Sequence, residues 1–143
     1  MVKNLRIYNN KVIKKLTIHK LISLLKKELN FTIRNLEISF VNSSEIIRLN
    51  SEYLSHKYST DIITFDYSKL DSSLEGEILI SLDDAIDNSK KFRISFQEEL
   101  IRLVLHGVLH LLGYKDKRKD ERRVMKLKED SLMHKFKYLV KEK

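Results

Sequence analysis

One apolar stretch in the C-terminal half restricts most strongly what this chain can fold into. Residues 103–112 read LVLHGVLHLL, so His106 and His110 interrupt a run that is otherwise apolar. A helix that is apolar nearly all round is buried by other elements, and we expect this helix to lie at the centre of the fold. The run is shorter than the ~20 apolar residues of a membrane span, so we expect no association with a membrane.

The two histidines of this stretch have the spacing of a metal site. Residues four apart lie on one face of an α-helix, one turn from each other, and buried imidazoles need polar partners. One small cation, about 2.0–2.1 Å from a nitrogen of each ring, would satisfy both. Gly113 can take the left-handed conformation that ends a helix, and the chain would then return Asp116 to the same ion. We therefore predict a metal site formed by His106, His110 and Asp116.

The residue that follows the first histidine bears on the chemistry. Zinc proteases carry His-Glu-x-x-His, in which the glutamate is the general base, whereas this chain has Gly107 at that position. Glycine supplies no base, and here it indicates that another element approaches the helix closely. Proteolysis is therefore disfavoured. Three protein ligands with an open position favour a hydrolase whose nucleophile is a metal-bound water, although no residue of the sequence stands out as its general base.

Composition limits the ligands and indicates the partners. The chain has no cysteine, so the metal ligands must be nitrogen and oxygen atoms. Its net charge of +8 favours binding to phosphate polymers such as nucleic acids, with a lysine-rich proteome as the alternative explanation. The length of 143 residues predicts a single domain over residues 1–143. The N-terminus does not have the pattern of a signal peptide, so we expect a cytoplasmic location.

Hydrophobic periodicity and capping residues predict an α+β fold, with a small mixed sheet of about four strands packed by about five helices. Alternating apolar positions predict strands at residues 4–8, 36–40, 60–67 and 76–81, of which the last two form an antiparallel pair. Caps and apolar stripes predict helices at residues 17–29, 42–50, 81–92, 95–112 and 117–137. In the last helix we expect Val124, Leu127 and Leu132 to face the core.

Several blocks of this sequence resemble the bacterial YbeY family of metal-dependent endoribonucleases, which act in ribosomal RNA maturation. In the order of the family, the blocks are LN-x-x-Y at 49–53, TDIITF at 60–65, GEILIS at 76–81, Glu99-Leu100, HGVLHLLGY at 106–114, and Glu121, Met125 and Glu129. The resemblance covers most of the chain. It implies a single-strand-specific endoribonuclease that contributes to 16S 3′-end processing, contacts the small ribosomal subunit and uses one divalent ion, zinc.

Two positions depart from the pattern of the family. The usual motif ends Gly-Tyr-Asp-His, with a third histidine as zinc ligand, whereas this chain has Lys115 and Asp116 there. The implied third ligand is then Asp116, and its carboxylate makes the site harder, which also suits manganese or magnesium. Many members have an arginine after the tyrosine of the LN-x-x-Y block, where this chain has Leu54. His56 and Lys57 are the nearby cations that we expect to replace it.

Other charged residues are candidates for supporting roles. Asp61, Asp66 and Glu77 are candidates to orient a ligand histidine or to shuttle a proton, and Asp61 ranks first among them. The alternative role for each is capping or loop hydration. The candidates for contacts with RNA are His56, Lys57, Arg93, Lys115 and Lys117. The sequence therefore predicts a metal-dependent endoribonuclease. A non-catalytic, metal-stabilised ribosome assembly factor is the alternative, and a metallopeptidase is the remote one.

Overall fold

The computed structural model describes residues 1–9, 11–53, 60–68 and 73–140. The strands are β1 (Leu5–Tyr8), β2 (Thr32–Val41), β3 (Ile62–Asp66) and β4 (Ser73–Ser81). The helices are α1 (Lys15–Leu29), α2 (Ser43–Tyr53), α3 (Leu82–Phe92), α4 (Phe96–Leu111) and α5 (Lys119–Phe136), followed by a short 3-10 helix (Lys137–Val140). Every predicted strand and helix is present, with ends that differ by a few residues.

The four strands form one mixed sheet in the order β1-β2-β4-β3. The pairs β1–β2 and β2–β4 are parallel, whereas β3 pairs antiparallel with β4. The parallel pairs are joined through helices, as parallel connections require. The predicted α+β class, the mixed sheet and the antiparallel pair are therefore confirmed.

Side chains just before three helices satisfy backbone N–H groups of the first turn. Ser81 Oγ accepts from the Asp84 N–H at 3.3 Å, and Ser95 Oγ accepts from the Glu98 N–H at 3.0 Å. The Asn42 side chain accepts from the Glu45 N–H at 2.9 Å. These contacts supply partners for groups that a helix leaves unpaired at its N-terminus, and they confirm the caps predicted at Asn42, Ser81 and Ser95. The cap predicted at Thr17 is wrong, because α1 begins earlier, at Lys15, and Lys14 before it makes no side-chain cap.

Helix α4 lies at the centre of the core, as its composition predicts. Its apolar side chains are almost fully buried on every side. Gly107 faces β4, where a Cβ atom would stand 2.9 Å from both Cγ2 and Cδ1 of Ile78. The predicted close approach of another element is thus confirmed. No helix in the described ranges is long and apolar enough to cross a membrane.

The prediction for the inner face of α5 is wrong in part. Leu132 is buried, but Val124 and Leu127 are 57% and 64% exposed. The residues of α5 that face the core are Met125, Glu129, Leu132, Met133 and Phe136. This stripe has ordinary helical spacing, but a glutamate stands in the middle of it. Because Glu129 interrupts the buried stripe, the apolar pattern alone predicted the wrong face of α5.

Candidate metal centre

A turn after α4 brings the third predicted ligand back toward the histidines. Gly113 has a positive φ of 105°. Its N–H donates to the His110 carbonyl at 3.0 Å, and the Tyr114 N–H donates to the Leu109 carbonyl at 3.0 Å. This pair of bonds is a Schellman motif, in which a glycine takes the left-handed position. The predicted helix end is confirmed, and Asp116 follows directly from it.

Three potential ligand atoms converge at the end of α4. The Nε2 atoms of His106 and His110 are 3.1 Å apart. Asp116 Oδ2 lies 3.3 Å from His110 Nε2 and 3.7 Å from His106 Nε2. Ligand atoms about 2.1 Å from one tetrahedral ion stand about 3.4 Å from each other. The three side chains therefore form a possible metal site with the spacing that one small ion requires.

The other nitrogen of each ring determines which protons face the site. His110 Nδ1 lies 3.1 Å from the Tyr114 carbonyl oxygen, and His106 Nδ1 lies 2.5 Å from Glu129 Oε2. A carbonyl and a carboxylate only accept hydrogen bonds, so both Nδ1 atoms carry the proton. The two Nε2 atoms then have lone pairs, and these face each other and the Asp116 carboxylate with no hydrogen-bond donor between them. A cation resolves this convergence of acceptors.

The site is open on one side. The side chains of His106 and His110 are 20% and 22% exposed, and that of Asp116 is 42% exposed. The histidines are therefore less buried than the apolar run predicts, because the end of α4 reaches the surface. Closed structural zinc sites have four protein ligands, whereas catalytic sites have three and an open position. The exposure and the ligand set match the open kind.

Glu129 is a buried carboxylate of α5 that contacts a predicted ligand. Burial raises the pKa of this carboxyl, but the hydrogen bond and charge of His106, together with the Arg102 guanidinium, outweigh it and hold the pKa below its usual value. The carboxylate thus stays ionised and accepts the His106 Nδ1 proton. Sequence reasoning matched Glu129 to the family without giving it a role. Its place at i+4 from Met125 and i−3 from Leu132 was the signal, because a charge inside an apolar stripe needs a partner.

Asp61 does not supply the carboxylate at the histidines. Its Oδ2 atom accepts a hydrogen bond from Asn88 Nδ2 at 3.1 Å, and the carboxylate that orients His106 is Glu129. Asp66 accepts from the Ser68 N–H at 2.9 Å, which is a local turn contact. Glu77 is half-buried beside Glu37, and burial, with the charge of Glu37, raises its pKa.

The candidates for RNA contacts are distributed unevenly around the site. Lys115 and Lys117 are exposed and flank Asp116. Arg93 ends α3 with a φ of 58° and precedes α4, so it lies at the opposite end of α4, about 20 Å along the helix from His110. The structure therefore brings two of the candidate lysines to the site and places Arg93 away from it. His56 and Lys57, with Leu54, lie outside the described residues.

This chain is similar to known proteins in family, sequence and fold. The family model described as Endoribonuclease YbeY matches residues 3–137. The endoribonuclease YbeY of Cytophaga hutchinsonii is 42% identical over 106 residues, which are 74% of this chain and 73% of that protein. The endoribonuclease YbeY of Chlorobium phaeobacteroides is 36% identical over 138 residues, which are 95% and 96% of the two chains.

A solved structure has the same fold. The solution structure of TM1509 from Thermotoga maritima matches with a TM-score of 0.62 and covers 97% of this chain and 95% of that one. The two sequences are 24% identical, so this likeness concerns the fold. It agrees with the α+β architecture described above.

Proposed function

Because this chain belongs to the endoribonuclease YbeY family, a family of hydrolytic nucleases, we propose that it cleaves phosphodiester bonds of single-stranded RNA at the His106, His110 and Asp116 site. The observation that carries this proposal is the convergence of two histidine nitrogens and one carboxylate oxygen on one open point. A divalent ion bound there supplies Lewis acidity and an activated water.

The residues of the chain hold this site in a form ready to bind a cation. Glu129 and the Tyr114 carbonyl keep the protons on the Nδ1 atoms, so each Nε2 atom offers its lone pair. The Gly113 turn positions Asp116, and Lys115 and Lys117 add positive charge at the rim of the site. Phosphate groups of RNA are attracted by exposed lysines of this kind.

We propose zinc as the resident ion. Two imidazoles and one carboxylate form a ligand set that zinc accepts in catalytic sites. The carboxylate in place of a third histidine also makes manganese and magnesium admissible. Elemental analysis of protein purified without added metal would identify the ion, and reconstitution of apoprotein with each metal would rank their activities.

The proposed substrate is ribosomal RNA. The support is the family, the net charge of +8 and the basic rim of the site. We propose that the chain acts in late maturation of ribosomal RNA, at the 3′ end of 16S RNA, and that it binds the small ribosomal subunit in the cytoplasm. A chase of labelled precursor RNA in cells that lack the protein tests this step, because uncleaved 3′ extensions would accumulate.

A non-catalytic assembly factor is the second candidate. It would use the ion to tie the turn after α4 to the helix. The exposed, three-ligand geometry favours the enzyme, since structural zinc sites are closed by four ligands. A peptidase is not supported, because Gly107 faces Ile78 in the core and supplies no general base.

The test compares RNA cleavage by metal-loaded protein and by His110→Ala, with His134→Ala as the control for loss of an exposed histidine elsewhere. We expect His110→Ala to lower the rate of RNA cleavage by more than about 10–100-fold, which is the usual effect of mutating a residue that only supports a metal ligand. His134→Ala should keep its activity. Equal cleavage by the wild type and His110→Ala would contradict the proposed nuclease site.

A further inference from the structure

The contact between Glu129 and His106 is the end of a longer series of hydrogen-bonded polar side chains, of which two carboxylates are buried and the others half-buried. Arg102 lies on α4 one turn before His106, so the two side chains share a helix face. Its Nη1 atom donates to Glu129 Oε1 at 2.7 Å, while the other oxygen of Glu129 contacts His106. Glu129 therefore bridges Arg102 and His106 with its two oxygens.

Arg102 is itself held by a second buried carboxylate. Its Nε atom donates to Glu99 Oε1 at 2.8 Å, and its Nη2 atom donates to Glu99 Oε2 at 2.6 Å. Glu99 is fully buried, and the Arg102 guanidinium also lies over the Phe92 ring at 5.8 Å. A guanidinium with a fork on one carboxylate has little freedom to rotate. Its Nη1 group therefore points at Glu129 in a defined direction.

The chain continues on the far side of Glu99. Asn88 Nδ2 donates to Glu99 Oε2 at 3.0 Å and to Asp61 Oδ2 at 3.1 Å. Asp61 directly precedes β3, and its backbone carbonyl accepts from the Ser81 N–H at 3.0 Å. The hydrogen bonds thus join the start of β3 to α3, α4 and α5. Asp61, which the sequence predicted to orient a ligand histidine, is therefore linked to His106 only through four other side chains.

Stability alone does not explain this arrangement. Replacing a buried ion network by well-packed apolar residues is often neutral or stabilising. The core around this network is apolar, so apolar side chains could pack in its place. Two carboxylates also share one guanidinium, so a negative charge is left unbalanced beside His106. That charge favours a proton on Nδ1 and a cation at Nε2 of the same ring.

We propose that Arg102 is a positioning residue of the metal centre, because it holds Glu129 where that carboxylate fixes the proton position and the ring orientation of His106. The proposal rests on the metal site proposed above and is independent of the RNA that the site cleaves. His110 is outside this network, since its Nδ1 proton is held by the Tyr114 carbonyl. The two ligand histidines therefore provide an internal comparison.

The first experiment replaces Arg102 by lysine, which keeps the charge and removes the fork. Arg48→Lys is the matched control, because Arg48 also contacts two carboxylates, those of Glu45 and Glu52, but on the exposed face of α2. Long-range ¹H–¹⁵N NMR spectra of the apoprotein report the tautomer of each histidine, and competition with a chelator measures zinc affinity. Urea denaturation checks the fold.

We expect Arg102→Lys to mix the tautomers of His106, to leave that of His110 unchanged and to weaken zinc binding about 10–100-fold. Arg48→Lys should change neither measurement. An unchanged His106 tautomer and an unchanged zinc affinity in Arg102→Lys would overturn the proposal. Equal disturbance of both histidines would also overturn it, because that result indicates a general loosening of the fold.

A second variant covers the case in which Arg102→Lys does not fold. Glu129→Gln keeps an oxygen that can accept the Nδ1 proton but loses the charge and can rotate its amide. We expect the same selective change at His106 and a similar loss of zinc affinity. Unchanged spectra and affinity would contradict the role of the network. Failure of the proposed nuclease function is distinguishable, because RNA cleavage would then be absent while both of these effects persist.

Discussion

Helices α4 and α5 both supply side chains to the candidate metal centre, but opposite kinds of sequence form them. Helix α4 is largely apolar, and nearly all of its apolar side chains are buried. Helix α5 is rich in lysine, arginine and acidic residues, and it buries one narrow stripe. The ligands His106 and His110 come from the first helix, whereas Glu129, which orients His106, comes from the second.

The difference shows what kind of information each helix carries. The burial of α4 follows from composition, because apolar residues cover most of its surface and few polar side chains are left to face water. In α5 two stripes compete, one through Val124 and Leu127 and one through Met125, Leu132 and Phe136. Packing selects the second, although Glu129 interrupts it, because Arg102 and His106 provide partners for that charge.

The largest effect should separate the two stripes of α5. Leu132→Ala removes a side chain that is 1% exposed, and we expect a loss of about 2–5 kcal/mol in the free energy of unfolding. Leu127→Ala makes the same chemical change at a site that is 64% exposed, and we expect a change within about 0.5 kcal/mol. Urea denaturation of both variants measures the difference. Equal losses would show that the buried face of α5 is assigned wrongly.

A smaller effect should show how tightly α4 meets the sheet. In Gly107→Ala the new Cβ atom would stand 2.9 Å from Ile78, and overpacking of this kind costs about 1–3 kcal/mol. Alanine also favours a helix over glycine by about 1 kcal/mol, so the net loss should be moderate.

The sign should reverse in an Ile78→Ala background, where the clash is absent and the helix propensity of alanine dominates. A double-mutant cycle by urea denaturation measures both values. A Gly107→Ala change that destabilises both backgrounds equally would contradict the contact with Ile78.

The smallest effect concerns how the two helices begin. Ser95 Oγ accepts the Glu98 N–H at the start of α4, and Ser95→Ala should cost about 1 kcal/mol of stability. Ser95→Asp keeps an acceptor and should retain most of that stability. At α5 the Glu121 carboxylate instead accepts the Arg118 N–H at 2.9 Å. Thermal unfolding of the two Ser95 variants checks the prediction, and a loss of equal size in both would argue against the cap.

Much of the metal site could be predicted, because its ligands are close in sequence. His106 and His110 are one helical turn apart, and Gly113 with Asp116 follows within six residues. Local geometry alone brings these groups together. The prediction that Asp61 contacts a ligand histidine is wrong, because Asp61 lies far from the histidines in sequence and local geometry does not determine its neighbours. Asp61 contacts Asn88 instead. Its link to His106 continues through Glu99, Arg102 and Glu129.

The sequence by itself determined the elements, the central place of α4 and the three potential ligands, because helical periodicity, capping and short spacings are local properties. The tertiary structure decided which face of α5 is buried and which carboxylate orients His106. Glu129 is 23 residues from His106 in the sequence. Arg102 contacts Glu129 because α4 packs against α5. Contacts over such separations depend on how the elements pack, because a buried charge is stable only where the fold brings it a partner.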